Sequence, residues 1–73
     1  METTLKNKLK AKRFNQENMT QAELARMADV TRQTIIAIEQ GRFNPSVKLA
    51  LNMAEIFGCT VEDIFQLNKE ETK

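Results

Sequence analysis

Helix-start signals recur in this chain at intervals too short for any long element. Thr20, Thr31, Ser46 and Thr60 each precede a stretch whose apolar residues return three or four positions apart, the pattern of a helix with one buried face. Thr20 and Glu23 form a capping box, in which the hydroxyl serves the Glu23 amide and the carboxylate reaches back to the Thr20 amide. Gly41 and Gly58 stand where the third and fourth stretches end, and a left-handed glycine is a common helix stop. Five short helices are predicted. The first runs from a cap at Thr3 or Thr4 to about residue 15, with Leu5, Leu9 and Phe14 on one face. The second covers residues 21–28, facing inward with Leu24, Ala25 and Ala28. The third covers 32–40 with Ile35 and Ile38, and the fourth covers 47–57 with Leu49, Ala50, Met53, Ala54 and Phe57. A fifth lies near 61–65. Residues 66–73 are polar and read as a fraying end.

Other classes of chain are excluded by what is missing. Seventy-three residues make one small domain, near the lower size limit for an unaided core. There is no His and a single Cys, so an internal disulfide is impossible and nucleophile–base pairs and His/Cys metal sites have no material. No Gly-rich phosphate loop is present. Glu62 and Asp63 are adjacent carboxylates, but at a capped helix start they serve the helix dipole. The chain is therefore not expected to be an enzyme, and no cofactor or metal is expected. The longest apolar run is the four residues 35–38, against about twenty for a membrane span. The start lacks the apolar stretch of a secretory signal. A soluble cytoplasmic protein that avoids membranes is the expectation.

Two short helices joined at residues 29–31 are the sequence form of a helix-turn-helix, here residues 21–40. Ala25 is small where the third helix crosses, and Val30, Ile35 and Ile38 fill the angle. Position 29 needs a positive φ; Asp tolerates it at a cost of order 1 kcal/mol relative to Gly. The net charge of +1 hides an uneven distribution: residues 1–32 carry +3, residues 33–48 carry +1 and residues 49–73 carry −3. Such asymmetry suits a polyanion on one side, although charge alone fits an ordinary solvated surface equally well.

Gln21-Ala22-Glu23-Leu24-Ala25, followed by Ala28, Val30, Ile35, Ile38-Glu39 and Gly41, resembles the Cro/phage-repressor (XRE-type) helix-turn-helix family. Residues 31–35 and 38–46 are similar to a subgroup of very small regulators within it, and the likeness spans about residues 5–67. Two departures are Asp29 in place of the usual turn Gly and a first interhelix loop one residue longer than common. The resemblance implies an all-α, five-helix lambda-repressor-like DNA-binding domain, with room for a short C-terminal strand at residues 65–67. It implies a sequence-specific transcriptional regulator that binds double-stranded DNA, with the helix of residues 32–40 in the major groove. Base contacts fall at Arg32, Gln33 and Ala37, with Thr31 close by. Arg suits guanine and Gln suits adenine, while the methyls of Thr31 and Ala37 suit thymine. Phosphate contacts are expected from Gln21 at a helix N-terminus, and from Thr34, Gln40, Arg42, Phe43 and Asn44. A buried pair of Arg13 and Glu39 is implied across the first and third helices.

One unit of this size reads few base pairs, so a homodimer on a palindromic operator is expected, acting as a repressor. Val61, Ile64, Phe65 and Leu67 are the candidate interface, within residues 59–68. The N-terminal residues 1–4 are too polar to suggest a strand. Cys59 reads as a small part-buried residue, and Met19, Met27 and Met53 as core or loop filler. No small-molecule ligand is expected. An antitoxin-type module that binds both a protein and DNA is the alternative, disfavoured by the lack of a long tail to wrap a partner.

Overall fold

The computed structural model describes residues 3–69. In chain order it contains β1 (Thr3–Asn7), α1 (Leu9–Asn15), α2 (Gln21–Ala28), α3 (Arg32–Glu39), α4 (Val47–Phe57), α5 (Val61–Ile64) and β2 (Phe65–Lys69). The fold is mostly helical, and it is not all-α. β1 and β2 pair antiparallel, with Leu5 opposite Leu67 and Asn7 opposite Phe65.

The four hydroxyl caps act as their positions predict. The side chains of Thr20, Thr31, Ser46 and Thr60 accept from the backbone N–H of Glu23, Thr34, Leu49 and Asp63. Thr20–Glu23 is a full capping box, and so is Thr60–Asp63. Each supplies partners for N–H groups that have none within the helix. In the second box the Thr60 backbone N–H donates to Asp63 Oδ2 at 3.1 Å. That bond, and the one between the two side chains, hold the Asp63 carboxyl below its ordinary pKa. Asp29 closes α2 at φ 61° and ψ 44°, in the left-handed region the turn demands. Its N–H and that of Val30 close onto carbonyls of the last turn of α2.

Three expectations at the chain ends are overturned. The first helix does not begin at Thr3 or Thr4: Thr3–Asn7 is a strand, despite its polar residues, and α1 is seven residues long. Residues 66–69 do not fray but continue β2, while residues 70–73 lie outside the described residues. Phe14 does not join the buried face and is half exposed. The cause is a non-local partner. β2 offers β1 a ladder of backbone hydrogen bonds, and that ladder outcompetes one extra helical turn. Asn7 makes the change of direction. Its Oδ1 accepts from the Leu9 N–H at 3.1 Å and its Nδ2 donates to the Ile38 carbonyl at 2.9 Å. The strand end, the start of α1 and the end of α3 are thus tied at one residue.

The core is one cluster. Leu9, Leu24, Ile35, Ile38, Met53 and Ile64 are its largest fully buried members. Ala25 and Ala28 are also buried, which lets α3 cross close to α2. Met19 is buried and Met27 half exposed. Ile64 is fully buried and Phe65 is 6% exposed within a single chain. α5 is only four residues long, and both side chains close the monomer's own core beneath it. Leu67 stays 63% exposed and Val61 is part-buried. No helix among the described residues is long and apolar enough to cross a membrane.

Candidate nucleic-acid interface

The helix α3 is held from behind. Ile35 and Ile38 are buried on one side, and these two anchors turn the opposite side of the helix outward. Thr31, Arg32, Gln33 and Gln40 are exposed; Ala37 and Thr34 are half-buried at the edges of that face. The Thr31 hydroxyl serves as the N-cap and lies 3.1 Å from the Thr34 hydroxyl. Arg32 and Gln33 form no side-chain hydrogen bond among the described residues, so their donors point to solvent at the N-terminal end of α3.

After α3 the chain turns at Gly41, φ 78°, with an open site where a Cβ would stand. Arg42 Nε then donates to Gln40 Oε1 at 2.7 Å, which aligns two of the expected phosphate contacts. Phe43 is 49% exposed and Asn44 is exposed. Gln33, Thr34, Ala37, Arg42 and Phe43 together line an open groove of about 370 Å³. Its lining includes a guanidinium and a carboxamide donor, a phenyl ring and small methyl-bearing side chains. Such a lining can take a phosphate and the apolar edge of a sugar or base.

Behind this face sits an ion pair. Arg13 Nε donates to Glu39 Oε2 at 2.6 Å and Nη2 donates to Oε1 at 3.1 Å. The side chains are only 7% and 9% exposed. Arg13 Nη1 also donates to the Met19 carbonyl at 2.8 Å, so the guanidinium ties α1 to the loop before α2 as well as to α3. Fork geometry of this kind is what Arg offers a carboxylate and Lys does not.

Gln21, the first residue of α2, is half-buried, and its Nε2 donates to Glu39 Oε1 at 3.1 Å. Sequence reasoning assigned Glu39 and Gln21 separate roles and missed this contact. The residues lie 18 apart, and no periodicity links them. Arg13, Thr20, Gln21, Ala22 and Arg32 are among the residues around a second open concavity, of about 440 Å³, beside the N-terminus of α2. The structure thus brings Gln21 and Arg32 to one hollow and Gln33, Thr34, Ala37, Arg42 and Phe43 to the next, while Lys48 lines a third beside Thr34 and Phe43. No group of acidic and cysteine side chains suited to a metal exists among the described residues.

Comparison with known proteins agrees with this geometry. The helix-turn-helix family model matches residues 9–64. The chain is similar to an uncharacterized HTH-type transcriptional regulator of Methanocaldococcus jannaschii, 51% identical over 92% of this chain and 100% of the relative. It is similar to another from Archaeoglobus fulgidus, 50% identical over 74% of this chain and 76% of the relative. An uncharacterized HTH-type transcriptional regulator of Bacillus subtilis, YgzD, is 41% identical over 90% of this chain and 98% of its own.

Proposed function

Because the chain belongs to the XRE-type helix-turn-helix family of DNA-binding transcriptional regulators, we propose that it is a cytoplasmic, homodimeric repressor that sets α3 into the major groove of a palindromic operator. The observation that carries this reading is the pair Arg32 and Gln33, exposed side by side at the N-terminal end of α3 while Ile35 and Ile38 anchor the helix behind. Neither side chain is hydrogen-bonded to another of the described residues, and each matches a base edge: Arg with guanine O6 and N7, Gln with adenine N6 and N7. Thr31 and Ala37 offer methyls to thymine. Thr34 within α3, and Gln21, Gln40, Arg42, Phe43 and Asn44 around it, serve the backbone. They hold the register while the α3 residues specify sequence.

Dimerisation is read from the ribbon. Leu67 is 63% exposed and stands opposite the part-buried Leu5, so an apolar stripe continues past the monomer core. With Val61 it forms the surface we assign to the partner, in place of Ile64 and Phe65.

Selection of bound sequences from a random DNA library tests the proposal. Enrichment of a palindrome supports it, with half-sites spaced by about 34 Å or a multiple of it. Arg32→Ala then erases the preference at one base of each half-site. Failure to enrich any sequence at low salt refutes it. Affinity is expected to fall steeply with salt, since phosphate contacts release counterions.

A further inference from the structure

Glu39 faces away from the reading surface, yet one of its oxygens receives the side chain that meets the DNA. Oε1 accepts from Arg13 Nη2 at 3.1 Å and from Gln21 Nε2 at 3.1 Å, while Oε2 accepts from Arg13 Nε. We propose that Glu39 is a positioning residue for DNA: it fixes the carboxamide of Gln21 so that one amide proton is held for a single backbone phosphate. This rests on the DNA-binding reading above and assigns one contact within it.

The argument is chemical. A carboxylate bound to a guanidinium accepts hydrogen bonds and donates none. Glu39 therefore selects one of the two flips of Gln21, the one with Nε2 turned toward it. A free glutamine has three rotatable bonds and two flips, and most of its conformers present an oxygen, or nothing, to a phosphate. Held by Glu39, Nε2 has one proton engaged and a second left to donate, and half-buried Gln21 lines the hollow it shares with Arg32. The loss of rotamer freedom is met on folding and not on binding. Arg13 completes the device. It neutralises a carboxylate that would otherwise repel the phosphate that Gln21 holds, and it ties the acceptor to α1. Three helices thereby converge on one polar contact: α1 by Arg13, α2 by Gln21 and α3 by Glu39.

The test uses the full chain and its selected operator, unmodified or with one phosphate at a time replaced by a neutral methylphosphonate. Wild type is expected to lose about tenfold in affinity when the Gln21 phosphate is neutralised, the range of a hydrogen bond to a charged group. Gln21→Met loses the same factor on the unmodified duplex and becomes insensitive to neutralisation at that position. Glu39→Gln, measured well below its melting temperature, is insensitive at that phosphate while keeping wild-type sensitivity at the others, and the double variant is no worse than the weaker single. Wild-type sensitivity of Glu39→Gln at that phosphate overturns the proposal, and so do additive losses in the double. Where Glu39→Gln does not fold, NMR of the wild-type Gln21 side chain decides. Two resolved Nε2 protons, one shifted and slow to exchange with water, support it; a pair averaged to free-glutamine positions overturns it. Failure of the DNA reading itself looks different, since no operator is then selected by any form of the protein.

Discussion

Replacing Arg13 by Met removes three hydrogen bonds at once: two to the Glu39 carboxylate, at 2.6 and 3.1 Å, and one to the Met19 carbonyl at 2.8 Å. Met keeps most of the apolar stem, so packing changes little. What remains is a carboxylate 9% exposed without its counter-charge. Breaking one side of a buried pair costs about 3–5 kcal/mol. A domain of 73 residues has a total stability of about 4–11 kcal/mol, so Arg13→Met consumes about a quarter of it or more. With a urea m value of about 1 kcal/mol/M, the midpoint should fall by about 3 M, and toward the low end of that stability range the variant does not fold. Urea unfolding followed by far-ultraviolet circular dichroism measures this, since the chain has no Trp or Tyr. The second arm is Arg13→Met with Glu39→Leu. Removing both charges is expected to recover most of the loss, because buried pairs replaced by apolar residues are often neutral in stability. A single variant within about 1 kcal/mol of wild type would place the pair among exposed ones and refute the reasoning. A double variant as unstable as the single would refute it too. The double should nonetheless bind its operator weakly, because Gln21 has lost its acceptor.

Asp29→Gly removes a Cβ from a residue at φ 61°; it is expected to stabilise by about 1 kcal/mol, a rise in melting temperature of about 4–8 °C, and an unchanged or lower value in a thermal melt would count against strain at that turn. The Asp63 pKa is depressed in the folded state by its bonds to Thr60, so its contribution is present above the ordinary carboxylate pKa of 3.8 and is lost as pH falls through the lower folded value. Melting temperatures of wild type and Asp63→Asn should therefore differ at neutral pH and converge in acid, and a difference that persists at the acid end of the range contradicts the assignment. Ile64→Ala should cost about 2–5 kcal/mol even at protein concentrations where sedimentation shows monomer; no loss under those conditions would return Ile64 to an interface.

Much of the helical framework was legible because its causes are local. The bounds of α2 and α4 follow from Thr20 and Ser46 at their starts and from Asp29 and Gly58 at their ends, and a helix start is decided within four residues by which side chain accepts the free N–H groups. The outward face of α3 was legible for the same reason, since Ile35 and Ile38 fix which side is buried. Leu5 misled because its spacing from Leu9 fits a helix turn as well as a strand followed by a helix. A strand at residues 65–67 came only from the family resemblance, and nothing in the residues signalled that its partner lies some sixty residues earlier. Phe65 and Ile64 showed as apolar, and only the packed fold decides whether an apolar side chain faces its own core or another chain.

The order of the helices, the hydroxyl caps of α2 to α5, the helix-turn-helix unit and the side of α3 that faces solvent were thus set by residues close together in the chain. Packing of the whole chain decided the β1–β2 ribbon, the enclosure of Ile64 and Phe65, and the arrival of Gln21 at the Arg13–Glu39 pair. The division follows the reach of the interactions. Caps and turns close hydrogen bonds over three or four residues, so their outcome is written in the residues beside them. Strand pairing and buried polar contacts join residues 18 to 66 positions apart, and they form only where every intervening element has already set the path of the chain.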